Sequence, residues 1–451
     1  MLKLKSKQIT LFAGDLFLAG ISLYLALFLR FMDLPTQERF DVHAEIFIPI
    51  FAVLVMLYYS FDFYDFSLFQ SKLRQLSKII NVHVFTGLVG LGYFYLFGSY
   101  TGLTPKTVLV LFTLVHMALA ISWRIVLVPK FFHPASRVKT LLIAQGEEYE
   151  ELKKTVNEHS FYPFYIADHL DISPEDFNSE NTLLELKSIL ENNGITQVII
   201  DIRDERTNEL LPYLYNLAAQ RKIHVFDAAL VYQDILKKMP LRGVGHFWFF
   251  ESVHLNIQAY EAAKRFFDIL LSIPWLFLWL VLHPFVYLAI KLDSKGDVFI
   301  VQERFGFGGK IIRMYKYRTM SFSDQGMWLK EKGNTNKVTR VGYWLRKTRI
   351  DELPQLIAII KGELSFIGPR PDIMALGGQL SAQIPYYMMR YTVTPGLSGW
   401  AQINQHLPPQ SFEETKIRLQ YDLYYVKNRS ILLDLVILTK TFKVLVLRTG
   451  M

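Results

Sequence analysis

The chain has 451 residues, enough for roughly three domains of ordinary size, and a net charge of +8. Hydrophobic residues make up 51% of it and aromatic residues 15%, which is high for a soluble protein and indicates membrane segments. It has no cysteine, which excludes disulfides and thiolate metal sites. No recognised nucleic-acid motif accompanies the positive charge, so we expect anionic headgroups and phosphorylated substrates as partners, and no nucleic acid.

Four apolar stretches of nearly membrane-spanning length fill the first part of the chain: Ile9–Phe31, Ile46–Phe63, Ile79–Phe97 and Val108–Val128. The first is too long for a signal-peptide core and lacks a small-residue cleavage site, so we expect it to be retained. Cations are concentrated before the first stretch, between the second and third, and after the fourth: Lys3, Lys5, Lys7, Lys72, Arg74, Lys78, Lys130, Arg137 and Lys139. By the positive-inside rule, both ends of this four-helix bundle (residues 1–134) lie in the cytoplasm. Asp15 and Arg124 lie inside the stretches and form either a functional site or a structural pair.

From residue 135 to about 250 the pattern changes to that of a Rossmann-like α/β domain. Strand-like runs at 140–144, 198–201 and 223–226 alternate with helical stretches at 147–157, 181–192 and 208–220, as in βαβ units with a parallel sheet. The turn after the first run has one glycine, Gly146, where a dinucleotide fingerprint has three, and acids where a pyrophosphate would bind. We therefore expect a structural or regulatory role rather than nucleotide binding.

A third region, residues 251–451, begins with an apolar segment at 264–292 that is long enough to span a bilayer. Pro284 lies inside it, and a proline removes a helical hydrogen bond and bends the helix. Such a segment can be re-entrant, entering and leaving by one face, with Pro284 as its hinge. A simple fifth span is the alternative, but it would place the rest of the region outside the cell, away from nucleotide-activated substrates.

Several motifs of the third region present cations on turns whose backbone is constrained. Gln302–Lys310 is a glycine-punctuated basic turn, and the run after it carries Lys316 and Arg318; a tight hairpin with a solvated basic face is equally consistent with this pattern. Gly368-Pro369-Arg370-Pro371 fixes the backbone around one arginine, which lowers the entropy lost when its guanidinium binds. Trp400 follows a second rigid turn, where its indole could stack on a base, lie at the membrane interface or be packed in the core.

An acidic pair, Asp351 and Glu352, follows three cations, Arg346, Lys347 and Arg349. Adjacent carboxylates repel each other, and nearby arginines or a divalent cation would offset that repulsion. One carboxylate beside a metal-binding carboxylate suits phosphoryl transfer. A salt-bridged helix start is the alternative, since acids favour a first turn. The tail at 419–443 predicts amphipathic helices on the headgroup plane, or else a buried core helix.

Together these motifs resemble the bacterial sugar transferases, which are polyprenyl-phosphate hexose-1-phosphate transferases. The resemblance covers residue 262 to the end; the four spans and α/β domain look like the family's long form. The motifs that carry it are Lys264-Arg265-x-x-Asp268, Gln302-x-Arg304-x-Gly306, Tyr315-Lys316-Tyr317-Arg318-Thr319-Met320, Asp351-Glu352-Leu353-Pro354-Gln355, Gly368-Pro369-Arg370-Pro371, Pro395-Gly396-x-x-Gly399-Trp400-x-Gln402 and Asp422-x-Tyr424-Tyr425.

The resemblance implies a membrane bundle, an α/β domain and a mainly helical monotopic catalytic domain with a re-entrant helix, on the cytoplasmic face of the bacterial inner membrane. It implies that Asp351 is a nucleophile and that Glu352 holds Mg²⁺. Asp351 would attack a UDP-sugar and release UMP, and the phosphosugar would pass to undecaprenyl phosphate and start exopolysaccharide, capsule or O-antigen synthesis. Lys316, Arg346 and Arg370 are candidate oxyanion partners, and further candidates for substrate binding are Arg304, Arg318, Gln355, Trp400 and Gln402.

Two positions depart from the family pattern. Asp297 stands where the family usually has proline, and His283 stands before Pro284 where serine is common. Rival functions are a non-catalytic scaffold or regulator of polysaccharide export and a conventional glycosyltransferase that would release UDP. A homodimer is compatible with the sequence, although no pairing motif requires one.

Overall fold

The computed structural model describes residues 2–64, 72–101, 105–132, 136–172, 179–242, 258–320, 338–405 and 408–447. The chain divides into two compact units, Met1–Leu236 and Lys237–Met451. The predicted domain boundaries near residues 134 and 250 both lie outside the described residues and stay predictions.

The first unit begins with apolar helices. They are α1 (Leu2–Phe31), α2 (Gln37–Ser60), α3 (Lys72–Thr101), α4 (Lys106–Ile121) and α5 (Val128–Phe132), with a π-helical turn at Ser122–Leu127. All four predicted apolar stretches are confirmed as helices. The second begins well before Ile46, because the Thr36 side chain accepts a hydrogen bond from the Arg39 amide and caps the helix at that point.

Buried aromatic rings pack these helices together, with Phe47 against Phe94 and Phe112 at centroid distances of 5.7 and 5.5 Å. Asp15 and Arg124 form a buried ion pair that joins α1 to the π-helical turn, so the pair has a structural role. In the described part of the chain, five helices are long and apolar enough to cross a bilayer, four here and one in the second unit. The chain is therefore a membrane protein by length and composition of its helices.

A four-stranded parallel sheet follows in the order β2-β1-β3-β4. Its strands are β1 (Val138–Ile143), β2 (Phe164–Leu170), β3 (Gln197–Ile200) and β4 (His224–Asp227), and its helices are α6 (Glu147–Glu158), α7 (Ser179–Asn192), α8 (Leu211–Ala219) and α9 (Ala228–Leu236). The three predicted strands are present; β2 was not predicted, because Asp168 and His169 interrupt its apolar pattern. Three glutamates occupy the first turn of α6, where they disfavour a bound phosphate.

The second unit is mainly helical. Its helices are α10 (Gln258–Asp293), α11 (Arg340–Thr348), α12 (Leu356–Lys361), α13 (Met374–Gln383), α14 (Trp400–Asn404), α15 (Phe412–Asn428) and α16 (Ile431–Leu447); its strands are β5 (Phe299–Phe305), β6 (Ile311–Tyr317), β7 (Ser365–Ile367) and β8 (Gly396–Ser398). Lys237 and Met239 belong to this unit: the Trp400 indole donates to the Lys237 carbonyl at 3.0 Å, and the Met239 amide donates to the Gln420 carbonyl at 3.0 Å.

One face of helix α10 packs against the rest of the second unit. Asp268, Ser272, Val286 and Ile290 are its buried residues, and they fall on one stripe at helical spacing. The stripe covers 23 residues, or roughly 33 Å of helix. Many large apolar side chains on the other faces of α10 are exposed, for example Phe277 at 71%. Both Pro274 and Pro284 lie inside this one helix.

Glycines allow the paired loops of this unit to approach closely. Strands β5 and β6 form an antiparallel hairpin whose turn has Gly308 and Gly309 at φ 66° and 76°, as the hairpin alternative predicts. Strands β7 and β8 pair in parallel, and a Cβ on Gly396 would lie 2.1 Å from the Gly368 amide nitrogen. The two rigid turns predicted from the sequence therefore pack directly against each other.

The tail differs between its two helices. Leu419 and Leu423 of α15 are fully buried, so this part is a core helix, as the competing interpretation had it. Helix α16 buries Val436 and Ile437 and leaves apolar side chains such as Leu432 (60%) exposed on its other face, so its predicted position on the headgroup plane stays a prediction.

Candidate active site

The acidic pair lies on a 3₁₀ turn, Ile350–Gln355, between α11 and α12. Helix α11 ends at Thr348 because Arg349 adopts a left-handed conformation with φ 60°. The change of direction points the two adjacent carboxylates into different surroundings. The alternative of a salt-bridged helix start is confirmed in one respect, since Glu352 is ion-paired, but its partners come from distant motifs rather than from the upstream cations.

Glu352 is held by two cations. Its Oε1 accepts hydrogen bonds from Lys316 Nζ on β6 and from Arg370 Nη2, both at 3.0 Å. Burial by itself would raise the pKa of Glu352, but Arg370 and Lys316 outweigh burial and lower that pKa below its usual range. Glu352 is therefore a fixed negative charge under all ordinary conditions.

Asp351 differs from Glu352 in its hydrogen bonding and in its pKa. Its side chain is 9% exposed, and in the described structure nothing donates a hydrogen bond to its buried Oδ1. Burial raises the pKa of Asp351 to about 6, and the neighbouring Glu352 charge adds to the effect. Lys316, Arg349 and Arg346 lower that pKa, but less strongly. An unbonded, desolvated carboxylate is more nucleophilic than one that accepts several hydrogen bonds.

Three cations meet around Glu352. Burial lowers the pKa of Lys316, and the nearby charges of Arg370 and Arg304 lower it further; burial and Arg370 lower the pKa of Arg304 to about 10. Glu352 faces all three cations, and Asp372, which is itself paired with Arg390 and Arg418, also acts on Arg304. The cluster therefore keeps excess positive charge beside Asp351. Desolvated guanidinium and ammonium groups of this kind bind phosphate oxygens.

Arg370 is positioned by hydrogen bonds to both its side chain and its backbone carbonyl. Its Nη1 donates to the Leu397 carbonyl of β8 at 3.0 Å. Its own carbonyl accepts from Arg390 Nη2 at 3.0 Å and from Arg418 Nη2 at 3.1 Å. The two rigid turns and a deeper pair of arginines thus fix the group that binds Glu352.

Arg390 belongs to a buried network that the sequence reasoning missed. The residue is fully buried and pairs with Asp372 and with Asp422. Burial would raise the pKa of Asp372, but Arg390 and Arg418 outweigh it and lower that pKa to about 2. The network's members are far apart in the chain, and only Asp422 was in a quoted motif. The one local feature of the sequence that pointed to this network was Asp372, an acid directly after the Gly368–Pro371 turn.

The other predicted site residues are distributed unevenly. Gln355 and Gln402 each have a buried amide whose two polar atoms have no hydrogen-bond partner in the described structure, as expected of groups kept for a ligand. Arg346 lies beside the pair, but its Nε donates to Thr319 Oγ1 at 2.9 Å. Arg318 is not directed at Glu352: its guanidinium donates to the Lys295 and Ser294 carbonyls at 2.8 and 2.7 Å.

Arg318 also contacts the turn that precedes Asp297, one of the two departures from the family pattern. A Cβ on Gly296 would lie 2.0 Å from Arg318 Nη1, and Gly296 has φ 123°, so the turn closes around the guanidinium. Asp297, next in the chain, is exposed. Arg318 therefore holds the turn that precedes Asp297.

Trp400 and Pro284 differ in burial. Trp400 is 7% exposed and stacks on Tyr424 at 5.8 Å, so the packed-turn alternative describes its surroundings. Its predicted contact with substrate stays a prediction. Pro284 is exposed on α10. The neighbouring His283 contacts the Tyr317 hydroxyl at 2.7 Å.

The residues fit Mg²⁺ in one specific mode. In the described ranges, no three His, Asp or Glu side chains are placed to share a metal ion. Mg²⁺ commonly uses one or two carboxylates, waters and the substrate's phosphates instead of an all-protein cage. The Asp351–Glu352 pair, with the unpartnered Oδ1 of Asp351, suits that mode.

The second unit is similar in sequence to known proteins. The profile of the family described as "Bacterial sugar transferase" matches residues 259–448. The exopolysaccharide production protein PSS of Rhizobium leguminosarum bv. phaseoli is 39% identical over 187 residues, which are 40% of this chain and 92% of that protein.

Two longer relatives are similar over the same part. The UDP-N-acetylgalactosamine-undecaprenyl-phosphate N-acetylgalactosaminephosphotransferase of Aeromonas hydrophila is 39% identical over 193 residues, 42% of this chain and 45% of that protein. The UDP-glucose:undecaprenyl-phosphate glucose-1-phosphate transferase of Escherichia coli (strain K12) is 37% identical over 180 residues, 40% and 39% of the two chains. The chain thus matches less than half the length of these two relatives.

Proposed function

The chain belongs to the bacterial sugar transferase family, and we propose that it transfers a hexose-1-phosphate from a UDP-sugar to undecaprenyl phosphate. The names of the relatives from Aeromonas hydrophila and Escherichia coli describe phosphosugar transfer with the same lipid. The proposed reaction would start the assembly of an exopolysaccharide, capsule or O-antigen.

The observation that carries the proposal is the contrast within the acidic pair. Asp351 has a buried oxygen without a hydrogen bond and a pKa of about 6, while Glu352 is neutralised by Lys316 and Arg370. A nucleophile needs a free lone pair, and a diphosphate donor needs fixed cations. Arg304, Lys316 and Arg370 supply the fixed cations next to the free lone pair of Asp351.

The proposed chemistry consists of two in-line displacements. A carboxylate oxygen of Asp351 attacks the β-phosphorus of the UDP-sugar; the new O–P bond forms as the bond to the bridging oxygen breaks, and UMP leaves with that electron pair. A phosphate oxygen of undecaprenyl phosphate then attacks the same phosphorus, and Asp351 leaves as a carboxylate. The products are UMP and undecaprenyl diphosphate-sugar, and the enzyme is regenerated.

The chain's own residues have distinct tasks in this scheme. Lys316 and Arg370 hold Glu352 in place and, with Arg304, bind the non-bridging phosphate oxygens, while Gln355 and Gln402 supply unpartnered amides to the substrate. Glu352 would hold Mg²⁺, which would supply charge neutralisation for the diphosphate. Arg390 and Arg418 act indirectly, through the carbonyl of Arg370.

We assign the catalytic unit to the cytoplasmic face and α10 to a re-entrant topology. A straight span would carry the two ends of α10 to opposite faces. Instead, Asp268 accepts from the Phe366 amide at 3.0 Å near one end, and Asp293 accepts from the Val341 amide at 3.0 Å at the other. Both partners belong to the same compact unit, which favours entry and exit by one face.

The α/β part is proposed to be a Rossmann-like domain with a structural or regulatory role. Its strand order, β2-β1-β3-β4, matches the first four strands of the doubly wound order 2-1-3-4-5. The acidic first turn of α6 argues against a phosphate there. The homodimer expected from the sequence stays a prediction.

The test is nucleotide release by the full-length protein in detergent or nanodiscs, with Mg²⁺, undecaprenyl phosphate and a panel of UDP-sugars. We expect UMP, not UDP, and a lipid product heavier by one phosphosugar. Asp351→Asn should abolish UMP release, and Glu303→Gln should not, because Glu303 is a half-exposed carboxylate on β5. Release of UDP would support a conventional glycosyltransferase, and a folded protein releasing neither nucleotide would support a scaffold.

A further inference from the structure

The hydroxyl of Tyr317 ties the catalytic strand to the membrane helix. Tyr317 follows Lys316 on β6, and alternation along a strand sends the two side chains to opposite faces. Lys316 contacts Glu352. On the other face, the Tyr317 hydroxyl lies 3.0 Å from the Trp279 indole nitrogen and 2.7 Å from His283 Nδ1, both on α10.

The contact with Trp279 has a fixed donor. The indole N–H of Trp279 can only donate, so the Tyr317 oxygen accepts from it. We assign the hydroxyl hydrogen to His283 Nδ1 and the ring proton of His283 to Nε2, the tautomer in which the hydroxyl accepts one hydrogen bond and donates the other. Trp279 and His283 are four residues apart, on one face of the helix. The His283 ring also stacks on Phe299 of β5 at 5.6 Å with an interplanar angle of 12°.

The same part of α10 packs against both neighbours of the acidic pair. Trp279 contributes to the apolar cluster that contains Leu353 and also to the one that contains Ile350. Ile350 precedes Asp351 and Leu353 follows Glu352. The acidic pair is therefore bracketed by two side chains that share apolar clusters with Trp279.

We propose that His283 and the Tyr317 hydroxyl are positioning residues that fix the register of α10 against the catalytic strand and so set the rate of transfer to the lipid. The inference rests on the proposed function. Among the described elements of this unit, α10 is the one long and apolar enough to cross a bilayer, so we infer that its position decides where an acceptor phosphate meets Asp351. In the described structure the hydroxyl bridge makes no hydrogen bond to the side chains of Arg304, Lys316 and Arg370, the three cations assigned to the donor. His283, at the position where serine is common, thus binds a neighbouring strand.

The experiment separates the two half-reactions in the full-length protein. UMP released in a single turnover without acceptor measures the first, and passage of the bound phosphosugar to added undecaprenyl phosphate measures the second. Tyr317→Phe and His283→Phe should leave the first within about twofold and slow the second roughly tenfold. The double variant should be no slower than either single variant, because both remove the same bridge.

Two further variants separate positioning from mere structural support. Asparagine offers an acceptor oxygen close to where Nδ1 lies, so His283→Asn should retain more transfer than His283→Phe. Tyr287→Phe removes a hydroxyl from an exposed tyrosine on the same helix and should change neither step. Equal loss in both half-reactions, or no loss in the second, would overturn the inference. If the wild type forms the Asp351 adduct, the proposed function survives that result; if it forms none, both fail.

Discussion

Asp351→Asn is expected to stop catalysis and, at neutral pH, to stabilise the protein. The folded structure raises the pKa of Asp351 from 3.8 to about 6. The folded state therefore holds the proton more tightly than the unfolded chain, and stability falls as pH rises from about 4 to about 6. Above pH 6 the whole penalty is present. Asparagine has a similar shape and no charge, so it removes that penalty.

The size of the effect follows from the pKa difference. A change from 3.8 to about 6 corresponds to about 3 kcal/mol at pH 7.5. The asparagine amide adds a buried donor near cations, which reduces the expected gain to about 1–3 kcal/mol. For a unit of this size each kcal/mol raises Tm by roughly 2–4 °C. At pH 4.5 the penalty on the wild type is about a third as large, so the gain should shrink accordingly.

Thermal unfolding of the purified full-length protein, followed by tryptophan fluorescence at pH 7.5 and 4.5, measures this gain. Glu303→Gln is the matched control, because that carboxylate is half-exposed and should show little change at either pH. An Asp351→Asn protein that unfolds at a lower temperature than the wild type at pH 7.5, or whose gain is the same at both pH values, would refute the claim that burial of this carboxylate is costly.

The other predictions concern the reaction and its supports. Adduct formation in a single turnover should rise about tenfold per pH unit below pH 6 and level off above it, because Asp351 must be ionised to attack; a profile flat from pH 4.5 to 8 would contradict this. Glu352→Gln should lower UMP release by roughly 10²-fold, because Lys316 and Arg370 lose their carboxylate; normal turnover with unchanged Mg²⁺ dependence would argue against its role. Arg390→Met should destabilise the protein by about 3 kcal/mol or more, as it leaves buried carboxylates unpaired; an unchanged Tm is the opposing result. Pro284→Ala should straighten α10, and cysteine-accessibility labelling after residue 292 should then change; unchanged cytoplasmic labelling would count against the hinge.

Local sequence patterns predicted the elements well where one physical cause dominates. Hydropathy over about 20 residues located the four N-terminal helices, since nothing else explains such runs. Strand β2 was missed because Asp168 and His169 interrupt its apolar pattern, while the strand is fixed by pairing with β1 along its length.

Site residues were predicted on a different basis, from motif order rather than from contacts. The resemblance named Lys316, Glu352 and Arg370 in three separate motifs, and the fold brings these three together. It also named Arg318, whose guanidinium instead holds a turn. A sequence gives the residue types but not the partner each arginine finds, since that depends on pairings between distant segments. The Arg390 network was invisible for the same reason.

The most direct test is mass spectrometry of the wild-type protein after a single turnover with a UDP-sugar and Mg²⁺ and no lipid acceptor, quenched and digested at mildly acidic pH. We predict a phosphosugar on the peptide that contains Asp351, lost when undecaprenyl phosphate is added before the quench. UMP released stoichiometrically by an unmodified Asp351 peptide would contradict the account.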